Sequence, residues 1–129
     1  MPPLPITSIV AALLAIAMVP LSLQISMRRV RLDSVVFGDA EDEELRRKIR
    51  AHGNYIEYVP TGLIALMLVE LAGATALLVW TLGGSFLLSR TLCAIGMLMG
   101  STPMRGAGMI LTHVMFLASG GWLLYTFIG

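Results

Sequence analysis

Charge is the scarcest commodity in this chain: only 13% of its 129 residues are Asp, Glu, Lys or Arg. A soluble domain carries about 25%, so this composition cannot dress a water-facing surface. Cysteine is nearly absent, Cys93 being the single one, which excludes an internal disulfide framework and any Cys-rich metal site. The net charge of +1 lacks the strong basic balance that nucleic-acid partners require. No basic residue stands in Met1–Pro5 ahead of the first apolar run, whereas a secretory leader opens on a positive segment. The stretch from Pro5 to Met27 is therefore expected to be a retained span. Phosphate loops, hydrolase triads and heme motifs are also missing.

What the chain does have is apolar length. Apolar residues make up 57% of it and the mean hydropathy is +0.83. Four runs are long enough to be read as membrane spans, at about residues 6–27, 55–71, 76–99 and 107–128. Pro20 falls inside the first of these runs, which membrane helices tolerate. Leu71–Thr75 and Gly100–Gly106 read as turns from their Gly, Ser and Pro content. Short turns join antiparallel neighbours. The expected fold is an all-α, integral membrane, four-helix up-down bundle, with residues 1–129 forming a single domain.

Thirteen of the seventeen charged side chains lie between Arg28 and Arg50. This segment, residues 28–54, reads as a cytoplasmic loop followed by a helical extension of the second span. Asp39 is the expected helix N-cap, with acids filling the first turn and Arg46, Arg47, Lys48 and Arg50 following, an order that suits the helix dipole. Asp42/Arg46, Glu43/Arg47 and Glu44/Lys48 stand at i,i+4. The basic residues of this loop, and Arg105 in the other, place both loops in the cytoplasm and both termini outside.

The four outlying charges, Glu57, Glu70, Arg90 and Arg105, bear most on function. Arg50, Asn54, Glu57 and Tyr58 share one helix face where the second span enters the membrane. A base, an amide, an acid and a phenol on one stripe suit a zwitterionic ligand, or else satisfy one another inside the bundle. An ionised carboxylate facing lipid costs several kcal/mol, so Glu57 is expected to face the bundle or a subunit interface. Arg90 heads a second stripe with Cys93 and Met97, and Glu57 is its nearest candidate anion by depth. Arg28, Arg29, Arg31 and Arg105 are candidate interfacial anchors. Glu70, near the far interface, reads as a pairing or snorkelling carboxylate. His52 and His113 have no partner at metal-binding spacing, so no metal is expected; the methionines read as adaptable packing.

The segment Arg50-Ala51-His52-Gly53-Asn54-Tyr55-Ile56-Glu57-Tyr58-Val59-Pro60 resembles the signature of the MAPEG family, the membrane-associated proteins in eicosanoid and glutathione metabolism. It is closest to the family's bacterial branch. The Arg28-Arg29 pair, Arg90 in the third span and Pro103-Met104-Arg105-Gly106 before the fourth fit the same pattern. The resemblance implies a homotrimer with glutathione held between neighbouring bundles and open to the cytoplasm. Carried over by position, Arg50, His52, Asn54, Glu57 and Tyr58 line the glutathione site, with Arg28, Arg29 and Arg90 contributing. Arg105 corresponds to the arginine that stabilises the glutathione thiolate. Cys93 and Met97 depart from the family pattern, for the leukotriene- and prostaglandin-forming members carry tyrosine or histidine there.

The resemblance thus implies an enzyme of glutathione S-transferase or glutathione peroxidase type in a bacterial inner membrane. Glutathione is its co-substrate, and a lipophilic electrophile or hydroperoxide arrives among the membrane lipids. The alternative is a non-catalytic, glutathione- or anion-binding or structural membrane protein of the same fold, favoured by the two missing rings. A small four-span transporter is a third class, but such proteins place an acid in the first span and this chain has none there.

Overall fold

The computed structural model describes residues 3–129. It contains four helices and, among these residues, no strand: α1 (Pro5–Arg31), α2 (Glu43–Leu71), α3 (Ala76–Met99) and α4 (Thr102–Ile128). Helices α1, α3 and α4 are long and apolar enough to cross a membrane. In α2 the stretch from Glu43 to Arg50 is charged, and its apolar part begins only at Tyr55.

Contacts along the helices run in opposite directions. The start of α1 meets the end of α2, where Glu70 accepts from the backbone N–H groups of Ile6 and Thr7 at 3.0 and 2.7 Å. The end of α1 meets the start of α2, where Arg28 grips Asp42. All sequential neighbours are antiparallel, as the short turns require. Helices α2 and α3 touch each other and form the middle of the bundle, with α1 packed on both and α4 on both; α1 and α4 do not meet. The core between them is built from Val10, Leu14, Leu66, Val79, Phe86 and Met115. Large apolar side chains elsewhere, such as Ile16, Leu77 and Leu117, face outward, as expected where lipid replaces water.

Each helix end has a physical cause. Helix α1 begins with Pro5, whose fixed φ and missing N–H suit the first turn. Its N-cap, Leu4, has no side-chain acceptor. The Glu70 carboxylate of α2 supplies it instead, satisfying two orphan N–H groups with a negative charge at the positive end of the dipole. Glu70 is therefore a tertiary cap, not merely a snorkelling side chain.

The N-cap of α2 is Asp42 rather than Asp39: its carboxylate accepts from the Leu45 N–H at 2.7 Å. Asp39 closes the turn before it, accepting from the Glu41 N–H and pairing with Arg46 at 2.8 Å. The Glu43/Arg47 and Glu44/Lys48 pairs form as their spacing predicts. Asp42/Arg46 does not, because Arg28 takes the Asp42 carboxylate in a two-pronged grip at 3.0 and 2.8 Å and also reaches Glu44 at 3.1 Å. That grip, with the Leu45 hydrogen bond, holds the Asp42 carboxyl well below the usual range, at about 2. A depressed folded-state pKa adds stability above the unfolded value of 3.8 and loses it as pH falls toward 2. We expect Asp42→Asn to remove that acid-sensitive component from a thermal-unfolding pH series between about pH 4 and 2, while Asp33→Asn leaves it in place.

The α3–α4 connection is tighter than expected. Gly100 adopts φ +69°, the left-handed conformation a glycine takes most easily at a helix C-terminus. Ser101 N–H bonds back to Gly96 at 2.7 Å. Ser101 then serves as the N-cap of α4, accepting from Met104. Pro103 marks the first turn of a helix and not a loop, because its missing N–H is needed by no one there. Arg105, expected in a turn, is consequently a helical residue in the first turn of α4.

Candidate functional site

At the charged end of the bundle, α2, α3 and α4 enclose an open cavity of about 580 Å³. Arg46, Arg47 and Arg50 line it from α2, Gly96 and Met97 from α3, and Ser101, Thr102 and Arg105 from the turn and α4, with Glu41 and Glu43 lining it as well. Helix periodicity puts Arg46, Arg47 and Arg50 on one flank of α2, at i, i+1 and i+4. The tight Gly100–Ser101 turn brings the first turn of α4 opposite them.

Close helix approach makes this possible. A Cβ on Gly96 would lie 2.5 Å from the backbone nitrogen of Arg105, and one on Gly108 would lie 2.8 Å from the Ser89 carbonyl oxygen. Small residues at such contacts let membrane helices pack backbone to backbone. Arg105 is thus presented by a helix that could sit there only against glycine.

The four arginines differ in what already holds them. Arg46 is paired with Asp39 and Arg47 with Glu43, the latter at 2.5 Å. Arg50 and Arg105 are exposed, and among the described residues neither forms an ion pair. Two uncommitted guanidinium groups facing one cavity form an anion-binding arrangement, since planar forks bind carboxylates with two parallel hydrogen bonds.

The remaining candidates do not converge on this cavity within one chain. Asn54 is buried, and its side-chain oxygen accepts from Arg90 at 2.9 Å. Arg90 is only 2% exposed and is held by Asn54, Thr112, Cys93 and Met109. Its guanidinium lies 5.0 Å from the centre of the Tyr58 ring and 5.9 Å from that of Phe86. Glu57 is not its partner, for no ion pair links them. The expectation failed because neutral acceptors and ring faces replace the anion.

Glu57 lies on the exposed flank of α2, His52 is half-buried, and Tyr58 packs against His113 and Phe116. The expected stripe thus divides: Asn54 and Tyr58 turn inward, while Arg50 and Glu57 keep the outer edge. Arg28 is committed to Asp42 and Glu44, and the Arg29 side chain donates to the Val35 carbonyl at 3.5 Å. Cys93 is buried between the Arg90 guanidinium and the Arg105 carbonyl. His113 bonds its own helix at Met109, and no cluster of three metal-ligating residues exists among those described.

Sequence reading missed Arg46, Arg47, Ser101 and Thr102 as cavity walls. It took the first two as solvated ion-pair partners and the last two as turn residues. The available signal was the position of Arg46 and Arg47 one turn before Arg50.

An antiparallel bundle of membrane-crossing helices with an arginine-lined cavity at its charged end defines the class of protein. The sequence model of the MAPEG family matches residues 7–125. The chain belongs to the MAPEG family, which is membrane-bound and associated with glutathione. It is 35% identical over 77 residues to Inner membrane protein YecN of Escherichia coli strain K12, and equally to the protein of that name in Escherichia coli O6:H1. Each match covers 57% of this chain and 59% of the relative. This chain therefore spans about three fifths of the length of the curated relatives it matches.

Proposed function

We propose that this protein is a glutathione transferase or peroxidase-like enzyme of the inner membrane. It holds glutathione in the cavity between α2 and the first turn of α4. The observation that carries the reading is the pair of unpaired guanidinium groups, Arg50 and Arg105, lining one cavity. Glutathione brings two carboxylates, one ammonium and a thiol. Arg50, backed by Arg46 and Arg47, suits the carboxylates. Arg105 suits the thiol, whose pKa near 8.5 falls beside a cation, so that more nucleophilic thiolate is present at neutral pH. The thiolate then attacks a lipophilic electrophile or hydroperoxide that arrives from the bilayer.

The exposed flank that carries Arg50 and Glu57 suits coverage by a neighbouring copy, and the homotrimer is what the family resemblance implies for that assembly. An ionised carboxylate at membrane depth is costly against lipid, and a neighbouring copy covering this flank removes that cost. In that assembly Glu57 takes the glutathione ammonium, and His52, Arg28 and Arg29 lie at its borders. Asn54, Tyr58 and Arg90 stand behind this flank and complete the site from within the bundle. The positive loops face the cytoplasm, with both termini outside.

A second reading, an anion-binding protein without turnover, has one observation in its favour. Met97 lines the cavity and Cys93 is buried beneath it, so neither offers a ring hydroxyl to glutathione. Calorimetric titration of glutathione into the detergent-solubilised protein, paired with turnover of a generic electrophile, separates the two. The enzyme reading predicts saturable binding with turnover, and about tenfold or greater weakening of binding in Arg50→Ala. Binding with no turnover of any electrophile or hydroperoxide supports the second reading, and absence of glutathione binding removes the enzyme reading.

A further inference from the structure

The loop joining α1 to α2, residues 32–42, puts two large apolar side chains outside every packed surface of the chain. Val36 is 71% exposed and Phe37 is 87% exposed, and neither packs against the core. Single exposed apolar residues are ordinary, but an adjacent pair that includes a phenyl ring calls for a partner. The backbone holds the pair there against its own preference. Asp33, Ser34, Ala40 and Glu41 all adopt φ between +52° and +58°, a left-handed conformation that is unfavourable for residues with a side chain.

The loop does not point away from the bundle. The Val35 N–H donates to the Arg29 carbonyl at 3.2 Å, and the Arg29 guanidinium donates to the Val35 carbonyl at 3.5 Å. Arg29 lies two residues before the end of α1, about 3 Å back along its axis. The chain thus leaves α1, turns at Asp33 and Ser34, and returns to the level of the last helical turn before Val36 begins. That turn carries Arg28, Arg29 and Arg31 at the end of a membrane-crossing helix, which is where hydrocarbon gives way to headgroups. At its far end the loop is pinned by the grip of Arg28 on Asp42. Arg31 is exposed and forms no ion pair among the described residues. An uncommitted guanidinium beside an apolar tip suits an anionic membrane surface, where ring and alkyl groups enter the headgroup layer and the cation meets phosphate.

We propose that the 32–42 loop is a membrane-surface anchor, with Val36 and Phe37 inserted among the lipid headgroups at the charged end of the bundle and Arg31 against the phosphate of an anionic phospholipid. The anchor is separate from the Arg50–Arg105 cavity and does not depend on what that cavity binds. A neighbouring copy is the competing cover for the apolar pair.

Fluorescence quenching in vesicles of equal parts phosphatidylcholine and phosphatidylglycerol tests this. Trp80 and Trp122 are the chain's two tryptophans, so Phe37→Trp in a Trp80→Phe/Trp122→Phe background carries a single indole at the loop tip. That indole is expected to be quenched by brominated lipid and shielded from aqueous acrylamide. Bromine on phosphatidylglycerol is expected to quench at least about twofold more than bromine on phosphatidylcholine, since one arginine near an anionic surface is worth about fivefold in affinity. Arg31→Gln is expected to remove that difference. If the background fails to fold, Phe37→Cys carrying a bimane label gives the same readout, because Cys93 is buried. Quenching by acrylamide with none by brominated lipid would place the loop in water and overturn the proposal. Shielding from both would mark a neighbouring copy as the cover and overturn it as well. Equal quenching by the two brominated lipids, or a preference that survives Arg31→Gln, would overturn the assignment of the headgroup to Arg31.

Discussion

Replacing Arg105 by alanine is expected to lower kcat/KM for conjugation of a generic electrophile by about a hundredfold or more, the loss typical of removing one preorganised charge stabiliser. Arg105 is exposed in the first turn of α4, forms no ion pair, and lines the cavity beside Arg50. Its side chain makes no hydrogen bond among the described residues; its backbone N–H donates to Ser101 and its carbonyl lies 3.8 Å from the Cys93 sulfur. Removing the side chain therefore deletes a charge from the cavity without breaking a fold contact, and the unfolding midpoint and oligomeric state should not change. Arg105→Lys should recover part of the rate, since it keeps the charge but loses the planar fork. A rate profile against pH separates mechanism from architecture. With Arg105 lost, the rising limb should move to higher pH, toward the free thiol value near 8.5. An unchanged profile would remove Arg105 from thiolate stabilisation.

The second large effect is expected at Gly96. An alanine there would bring its Cβ 2.5 Å from the Arg105 backbone nitrogen and 2.9 Å from its Cα. These are backbone atoms, which cannot rotate aside, so the first turn of α4 must shift away from α3. Overpacking of this kind costs about 1–3 kcal/mol. The shift also carries Arg105 with it, and a displacement near 1 Å can reduce rate about a hundredfold. Gly106 is the internal control: a Cβ there meets nothing within 4 Å. Gly106→Ala should be neutral, or stabilise α4 by up to about 1 kcal/mol through helix propensity. Equal behaviour of the two variants in thermal unfolding and turnover would contradict this account of the α3–α4 contact.

Much of the bundle was legible because hydropathy along a membrane chain is close to a one-dimensional code. The Leu71–Thr75 turn, the charged extension of α2 and the Glu43/Arg47 and Glu44/Lys48 pairs follow from local composition and spacing. Local rules failed where a distant residue outcompeted a near one. Arg28 captured Asp42, which left Arg46 to Asp39, and Glu70 capped α1 across the bundle. Neither choice is visible in a window of one helix. Pro103 and Gly106 were read as turn markers, although proline is equally at home in the first turn of a helix.

The site divided in the same way. Arg50 and Arg105 were identifiable as outlying or terminal arginines, and they meet at one cavity. Asn54 and Glu57 looked equivalent on a helical stripe, yet Asn54 is buried and Glu57 is exposed. The pull of Arg90 on Asn54 turned one inward, while Glu57 stayed on the outer edge. Periodicity gives a shared face only to within a wide sector, and the line between core and rim falls inside that sector. Gly96 and Gly108 carried no legible signal, because close approach is a property of two helices and not of one.

The claim beneath all of this is that uncommitted arginines from α2 and α4 hold an ionised thiol peptide at the charged end of the bundle. Proton release on adding glutathione to the weakly buffered protein near pH 7 addresses it most directly. The account predicts saturable release in the wild type as the bound thiol ionises, and loss of that release in Arg105→Ala even where glutathione still binds. Glutathione binding without proton release in the wild type, or equal release in both proteins, would contradict it.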